Sequence, residues 1–423
     1  MGASAEDGPT PLPLARRRLG WGSLALFIVL ALCYLAVDVW WPWRHLAEGP
    51  GDFGAYHQAG RALLEGRSPY AAHGLIYPPL AAFLFAPLAA LPFATARVVW
   101  FVILQVCLLV AAAGTWRWLG GDRNALLATA AVWGLGGTIA ENLFLGQVQP
   151  LLLALIVVGW WQRRRLARTA GALLGFAAAL KVLPAALLLP LIVRREGRVS
   201  IAALGAAGAL VAVPLVALTA AWPPPWRPAG QGYWAGSPAP LNLSLPAVAL
   251  RLAEPPSAGG ELPASWRGGV DLARFRVPPS RRALSLSIAA AVLLLGGAAV
   301  VRTLRATPPG RADDYAMAAT IAIVLAASPI SWYHYQLLQF PGLALLAQAA
   351  LRRRSPAAWL GLGGLVLGLT FPTRLGSGIA RLGAPLESTP ALLWLFTTAT
   401  PLLSIALAVW LLREARSAAT ATG

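Results

Sequence analysis

The side chains able to do chemistry fall into a few short groups. Gly49-Pro50-Gly51-Asp52-Phe53-Gly54-Ala55-Tyr56-His57 comes first. Gly-Pro-Gly stops a preceding helix, Asp52 stands at the start of the next, and Tyr56 lies one turn on along the same face. Two readings of Asp52 stand side by side. It is an N-cap, or it is a general base at a membrane edge, where desolvation raises a carboxyl pKa into a useful range. Glu141, at the turn into the helix bearing Gln147, is the alternative base, or else a solvated turn residue. Tyr56 and Tyr77 are either substrate contacts or interfacial anchors. Trp332 offers a face for stacking, and the Gln147 amide can hydrogen-bond a substrate hydroxyl. His334, between two tyrosines and ahead of an apolar run, is costly to bury unless paired. Lys181 is an ammonium inside an apolar stretch, which marks function by default. His57 and His73 lack metal-ligand spacing, and Cys33 and Cys107 sit in apolar runs as small hydrophobes. No metal site and no cofactor is expected.

Composition says what must position these residues. Of 423 residues, 58% are hydrophobic and 12% charged, yet the net charge is +18. So few charges do not cover a soluble surface. A disordered chain has the opposite balance, and a nucleic-acid binder does not carry so much apolar sequence. A polytopic membrane protein with basic loops remains. Its first span is Trp21 to Trp41, about 31 Å as a helix, behind Arg16-Arg17-Arg18. Further apolar stretches lie near 98–116, 125–140, 144–161, 199–221, 284–301, 315–331, 335–351, 356–371 and 388–412. The short segment Leu80 to Leu91, started by Pro78-Pro79, reads as an interfacial helix.

The stretch 170–193 is broken at Lys181 and Pro184 and has arginine clusters on both sides. Read as a re-entrant hairpin, it leaves 20 arginines cytosolic and 13 outside, 11 of those in the long segments 42–97 and 222–282. Read as a single span, it scatters the short basic loops across both faces, against the positive-inside bias. The hairpin is therefore favoured. The expectation is an all-α fold of about 12 hydrophobic helices with both termini cytosolic. Both long hydrophilic segments then lie outside, with Asp52, Gln147 and His334 on one face. Lys181 alone is expected apart from them, in the membrane interior. Residues 1–20 read as a cytosolic segment, 21–350 as the catalytic region, and 351–423 as C-terminal helices and tail.

The order Asp52-x-x-x-Tyr56, Gly66-x-Ser68-Pro69-Tyr70, Tyr77-Pro78-Pro79, Gly146-Gln147-Val148, Ala179-Leu180-Lys181-x-x-Pro184 and Ser331-Trp332-Tyr333-His334 resembles glycosyltransferase family 87. The resemblance covers about residues 49 to 350. It implies a GT-C type membrane enzyme, a polyprenyl-phosphate sugar donor, mannose above all, and a lipid or glycan acceptor. It also implies inverting transfer at the extracytoplasmic face of the plasma membrane, without a nucleotide-sugar metal site and without any nucleic-acid partner. The family's acidic residue falls on Asp52 and its later histidine on His334. The catalytic assignment is accordingly Asp52 as base, with His334 at the donor phosphate or orienting the acceptor. Tyr56, Tyr77, Gln147, Lys181, Asn242 and Trp332 are assigned to substrate. Asn242 matches an Asn-x-Ser-Leu segment of the family's large loop, although Pro246 stands where a small residue is expected. The competing class is a multi-pass transporter or lipid flippase, which would show matched broken helices near the midplane.

Overall fold

The computed structural model describes residues 21–70, 75–135, 137–221, 236–254, 278–381 and 390–420. Among these, every regular element is a helix, and the one extended pairing is an isolated bridge between Asn242 and Trp332. His73, Glu261, Asp271 and Glu387 lie outside the described residues, as do 1–20, 222–235 and 255–277.

The first span is α1 (Trp21–Cys33), which runs through a π-helical stretch (Tyr34–Trp40) into α2 (Trp41–Arg44). Then come α3 (Gly51–Leu64), α4 (Leu80–Ala89), α5 (Phe93–Trp118), α6 (Arg123–Leu135), α7 (Thr138–Leu145) and α8 (Gln149–Gln162). The broken stretch is α9 (Ala167–Leu180), a 3-10 turn (Leu183–Leu187) and α10 (Leu188–Val193). Beyond it lie α11 (Gly197–Ala221), α12 (Leu245–Leu252), α13 (Pro279–Ala306) and α14 (Arg311–Ala327). A second 3-10 turn (Tyr333–Gln339) leads into α15 (Phe340–Arg353), α16 (Pro356–Arg381) and α17 (Pro390–Thr420).

The protein is thus all-helical with membrane-spanning helices. Among the described residues, five helices are long and apolar enough to cross a bilayer: Trp21–Arg44, α5, α11, α13 and Thr397–Ala419 within α17. The pair α7 and α8 makes a sixth if its 120° bend is counted as one broken span. The expected total of about twelve is not reached by this measure. α6 and α15 sit on expected stretches but have 13 and 14 residues, about 20 Å of helix against a hydrocarbon core of about 30 Å.

Burial separates two kinds of helix. α14 is buried on nearly every residue and forms the centre of the bundle with α15. α11 and α13 instead expose Ile201, Val213, Val216, Leu294 and Leu295, as lipid-facing helices do. α9 lies very close to α11. A Cβ on Gly171 would fall 2.4 Å from the Val199 carbonyl oxygen, and one on Gly175 2.4 Å from that of Ala203. Gly171 and Gly175 are four residues apart, the small-xxx-small spacing that lets backbones approach in lipid.

Both ends of the hairpin come to one place. Arg164, before α9, and Arg194, after α10, reach the same carboxylate, Asp313, at 2.9 and 2.6 Å. The same end of the bundle holds the pairs Arg352–Asp122 (3.3 Å) and Arg353–Glu414 (2.7 Å). A re-entrant hairpin requires this arrangement, because a single span would carry Arg164 and Arg194 to opposite ends.

Candidate active site

At the other end, α3 lies against the break between α7 and α8. Two glycines make the contact possible. Gly51 has φ +52, and a Cβ there would stand 2.7 Å from the Leu145 carbonyl oxygen. Gly146 ends α7 in the left-handed conformation, and its Cβ would stand 2.7 Å from Phe53 Cβ. The Gln147 amide donates back to the Asn142 carbonyl (2.8 Å), closing a Schellman turn. Trp100 Nε1 donates to the Gly146 carbonyl (2.8 Å) and Arg97 to that of Phe144 (2.9 Å). So the break is built, and it delivers the Gln147 side chain onto the first turn of α3.

There Gln147 Nε2 donates to Asp52 Oδ2. The other face of the amide, Gln147 Oε1, accepts from the Tyr77 hydroxyl (3.3 Å) and lies 3.1 Å from that of Tyr56. Tyr56 donates to the Tyr77 hydroxyl (2.9 Å), and Lys181 Nζ approaches the same oxygen (3.4 Å). Tyr56 is set by stacking on Phe85 of α4, with ring centroids 4.8 Å apart. Four residues that the sequence assigned to one site, Asp52, Tyr56, Tyr77 and Gln147, therefore form one connected network.

Asp52 is not the N-cap of α3. Pro50 holds that position, and the Asp52 carboxylate turns instead to Gln147. The residue is half-buried. Burial pushes its pKa up from near 3.8 to about 6, while the Lys181 charge pulls the other way. That is the range a general base needs near neutral pH.

Lys181 departs from expectation: rather than standing apart from the other site residues, it joins the Asp52 network. α9 ends at Leu180, and Lys181 follows it with extended backbone (φ −150, ψ 127) before the Pro184 turn. Its ammonium rests 3.3 Å from the centroid of the Tyr335 ring and 5.1 Å from that of Tyr77, a cation–π seat. The tyrosines reach to the hairpin apex, so the depth read from helix length alone missed the contact.

His334 is buried between the rings of Tyr333 and Tyr335, at 5.2 and 4.9 Å. Both ring nitrogens are buried, and neither has a hydrogen-bond partner among the described residues. Its carbonyl accepts from Asn142 Nδ2 (2.9 Å), which fixes the turn to α7. Tyr333 donates to Glu141 Oε2 (3.3 Å), so the alternative base is tied to the same turn. Trp332 is partly buried against the core.

Asn242 serves differently from its expected substrate contact. Its Nδ2 donates to the carbonyls of Ser237 (2.8 Å) and Pro329 (2.9 Å), and its Oδ1 accepts from the Ser331 amide (2.8 Å). Both donors are occupied by backbone, so Asn242 fastens the 237–244 segment to the turn that carries Trp332 and His334. Arg251 of α12, fully buried, adds to this clamp through the carbonyls of Ala239 (3.1 Å), Asn242 (3.1 Å) and Thr397 (3.0 Å). Sequence reasoning missed Tyr335, Asn142 and Arg251. Tyr335 had a signal, as the neighbour of His334; Asn142 and Arg251 act through backbone carbonyls, which no spacing reveals.

Among the described residues, no three His, Cys, Asp or Glu side chains converge as metal ligands. The arrangement combines a carboxylate of raised pKa, a nearby ammonium and a buried histidine whose ring nitrogens have no hydrogen-bond partner among the described residues. This suits removal of a hydroxyl proton beside a group that holds an anion.

Comparisons with known proteins identify the family. The model for glycosyltransferase family 87 matches residues 75–329. A polyprenol-phosphate-mannose-dependent alpha-(1-2)-phosphatidylinositol mannoside mannosyltransferase of Mycobacterium tuberculosis (strain ATCC 25618 / H37Rv) is 30% identical over 387 residues, covering 83% of this chain and 82% of that protein. A protein of the same description from Mycolicibacterium smegmatis (strain ATCC 700084 / mc(2)155) is 29% identical over 362 residues, covering 77% of each chain. The chain therefore belongs to glycosyltransferase family 87 and is a membrane-embedded glycosyltransferase.

Proposed function

We propose that the protein transfers a mannosyl group from a polyprenyl-phosphate mannose to a hydroxyl of a lipid-linked or glycan acceptor, at the extracytoplasmic face of the plasma membrane and with inversion at C1. The donor, and a phosphatidylinositol mannoside as acceptor class, come from the descriptions of the two mycobacterial relatives. The sidedness comes from the arginine bias, which puts the basic helix ends in the cytosol, the site outside and both termini inside.

In this mechanism the acceptor oxygen attacks C1 as its proton passes to the Asp52 carboxylate. The bond from C1 to the phosphate oxygen breaks, and its electron pair leaves with polyprenyl phosphate. That leaving group needs no acid but does need stabilisation of its charge. Lys181 and His334 are assigned that role, supported by the Lys181 position in the Asp52 network and by the unpaired His334 ring nitrogens. Gln147, Tyr56 and Tyr77 orient the carboxylate, and Trp332 lines the sugar. The observation carrying the reading is the half-buried Asp52, with pKa near 6, in one network with Lys181.

The test is mannosyl transfer from polyprenyl-phosphate mannose by purified enzyme. Asp52→Asn should lose at least a hundredfold in turnover, the lower range for general base catalysis, with donor binding retained. Full activity in that variant would overturn the base assignment. The transporter or flippase reading has weaker support, since both curated relatives carry the description of a mannosyltransferase.

A further inference from the structure

At the basic end, away from the proposed active site, a cavity of about 530 Å³ opens among the turns at 163–167, 194–199 and 309–313. Its wall holds Arg163, Arg164, Arg194, Arg195 and Arg198 but only two acids, Glu196 and Asp313. The acids have a defined job. Asp313 holds Arg194 (2.6 Å) and Arg164 (2.9 Å), and Glu196 holds Arg163 (3.2 Å). Arg195 and Arg198 are exposed and have no carboxylate partner among the described residues. Arg195 also has φ 56, the left-handed position of a turn where glycine is the default.

The cavity is thus built from anchored cations and keeps a positive excess. Its surroundings identify the anion. Leu166, Ile192, Ile201 and Leu204 are all exposed and follow or precede lining residues closely in the chain. A free phosphate has no use for such flanks, whereas acyl chains do. Basic pockets between membrane helices at the cytoplasmic side bind anionic headgroups.

We propose that this cavity is a binding site for the headgroup of an anionic glycerophospholipid of the inner leaflet. Its phosphodiester lies among Arg195, Arg198 and the anchored Arg164, and its acyl chains run along the exposed face of α10 and α11. The site is separate from the catalytic one, and the inference stands whichever sugar is transferred.

The test titrates delipidated full-length enzyme in detergent with short-chain phosphatidylglycerol, short-chain phosphatidylcholine and inorganic phosphate, and reads bound adducts by native mass spectrometry. One saturable phosphatidylglycerol should bind, with the other two far weaker. Each basic side chain near an anionic lipid contributes roughly a factor of five, so Arg195→Gln with Arg198→Gln should weaken binding about thirtyfold. A control, Arg354→Gln with Arg413→Gln, removes equal charge from exposed positions outside the cavity lining and should leave binding unchanged. Equal loss in the control would mean diffuse surface charge and overturn the site. Equal affinity for inorganic phosphate would overturn the lipid assignment, and absence of a saturable adduct would overturn the proposal. Basal mannosyl transfer in detergent, unaltered in the cavity variant, confirms that its fold is intact.

Discussion

Asp52 illustrates how one residue type serves two readings until its surroundings are known. A helix start favours Asp as a cap, but here Pro50 takes the cap and Gln147 takes the carboxylate. Because burial lifts its pKa to about 6, the acid limb of kcat/KM should lie near pH 6 rather than near 4. A pH–rate profile from pH 4.5 to 8 checks this. The sign for stability is opposite to that for activity. A carboxyl raised from about 3.8 to about 6 costs the fold its ionisation above pH 6, and protonation relieves the cost on acidification. Lys181→Gln removes the charge that opposes burial. Its acid limb should therefore move to higher pH, and donor KM should rise if the ammonium holds the phosphate. An unmoved limb would remove Lys181 from the Asp52 network.

At the scale of elements, the site depends on how closely helices approach. Gly146→Ala puts a Cβ in the left-handed region and 2.7 Å from Phe53 Cβ. The conformation alone costs about 1–2 kcal/mol, and the collision pushes α3 from the α7–α8 break. The variant should show a lower melting temperature in detergent and at least a tenfold loss of transfer, since Gln147 no longer meets Asp52. Gly175→Ala acts at a distance. It forces α9 from α11 and should cost about 1–3 kcal/mol, as overpacking does, while displacing the apex that carries Lys181. Asp38 is a third such support. It is buried in the π-helical stretch of the first span, and its Oδ1 accepts from the Ala140 amide of α7 (3.0 Å). Of these supports, only Gly146 stood in a group that the sequence singled out. The glycine pair and the Asp38 contact are long-range, and nothing in a single sequence marks which backbone a glycine must admit.

For the whole molecule, the proposed topology is open to a direct measurement. In a background with Cys33 and Cys107 replaced, Arg67→Cys should label with an impermeant maleimide from outside intact cells. Arg198→Cys and Arg354→Cys should label only after permeabilisation. Labelling of Arg198→Cys from the same side as Arg67→Cys would refute the hairpin in the cell membrane.

Composition and arginine placement were enough to specify a helical membrane protein and a re-entrant stretch around Lys181, because hydrocarbon thickness and the cost of buried charge act on local sequence. The order of short motifs was enough to suggest the family. Tertiary structure alone decided that Asp52 faces Gln147 rather than capping its helix. It brought Lys181 to the Tyr77 and Tyr335 rings, and it committed Asn242 to its own backbone neighbours. Each of these depends on which helices approach within van der Waals distance. That is settled by packing across residues far apart in the chain, to which hydropathy and motif order are blind.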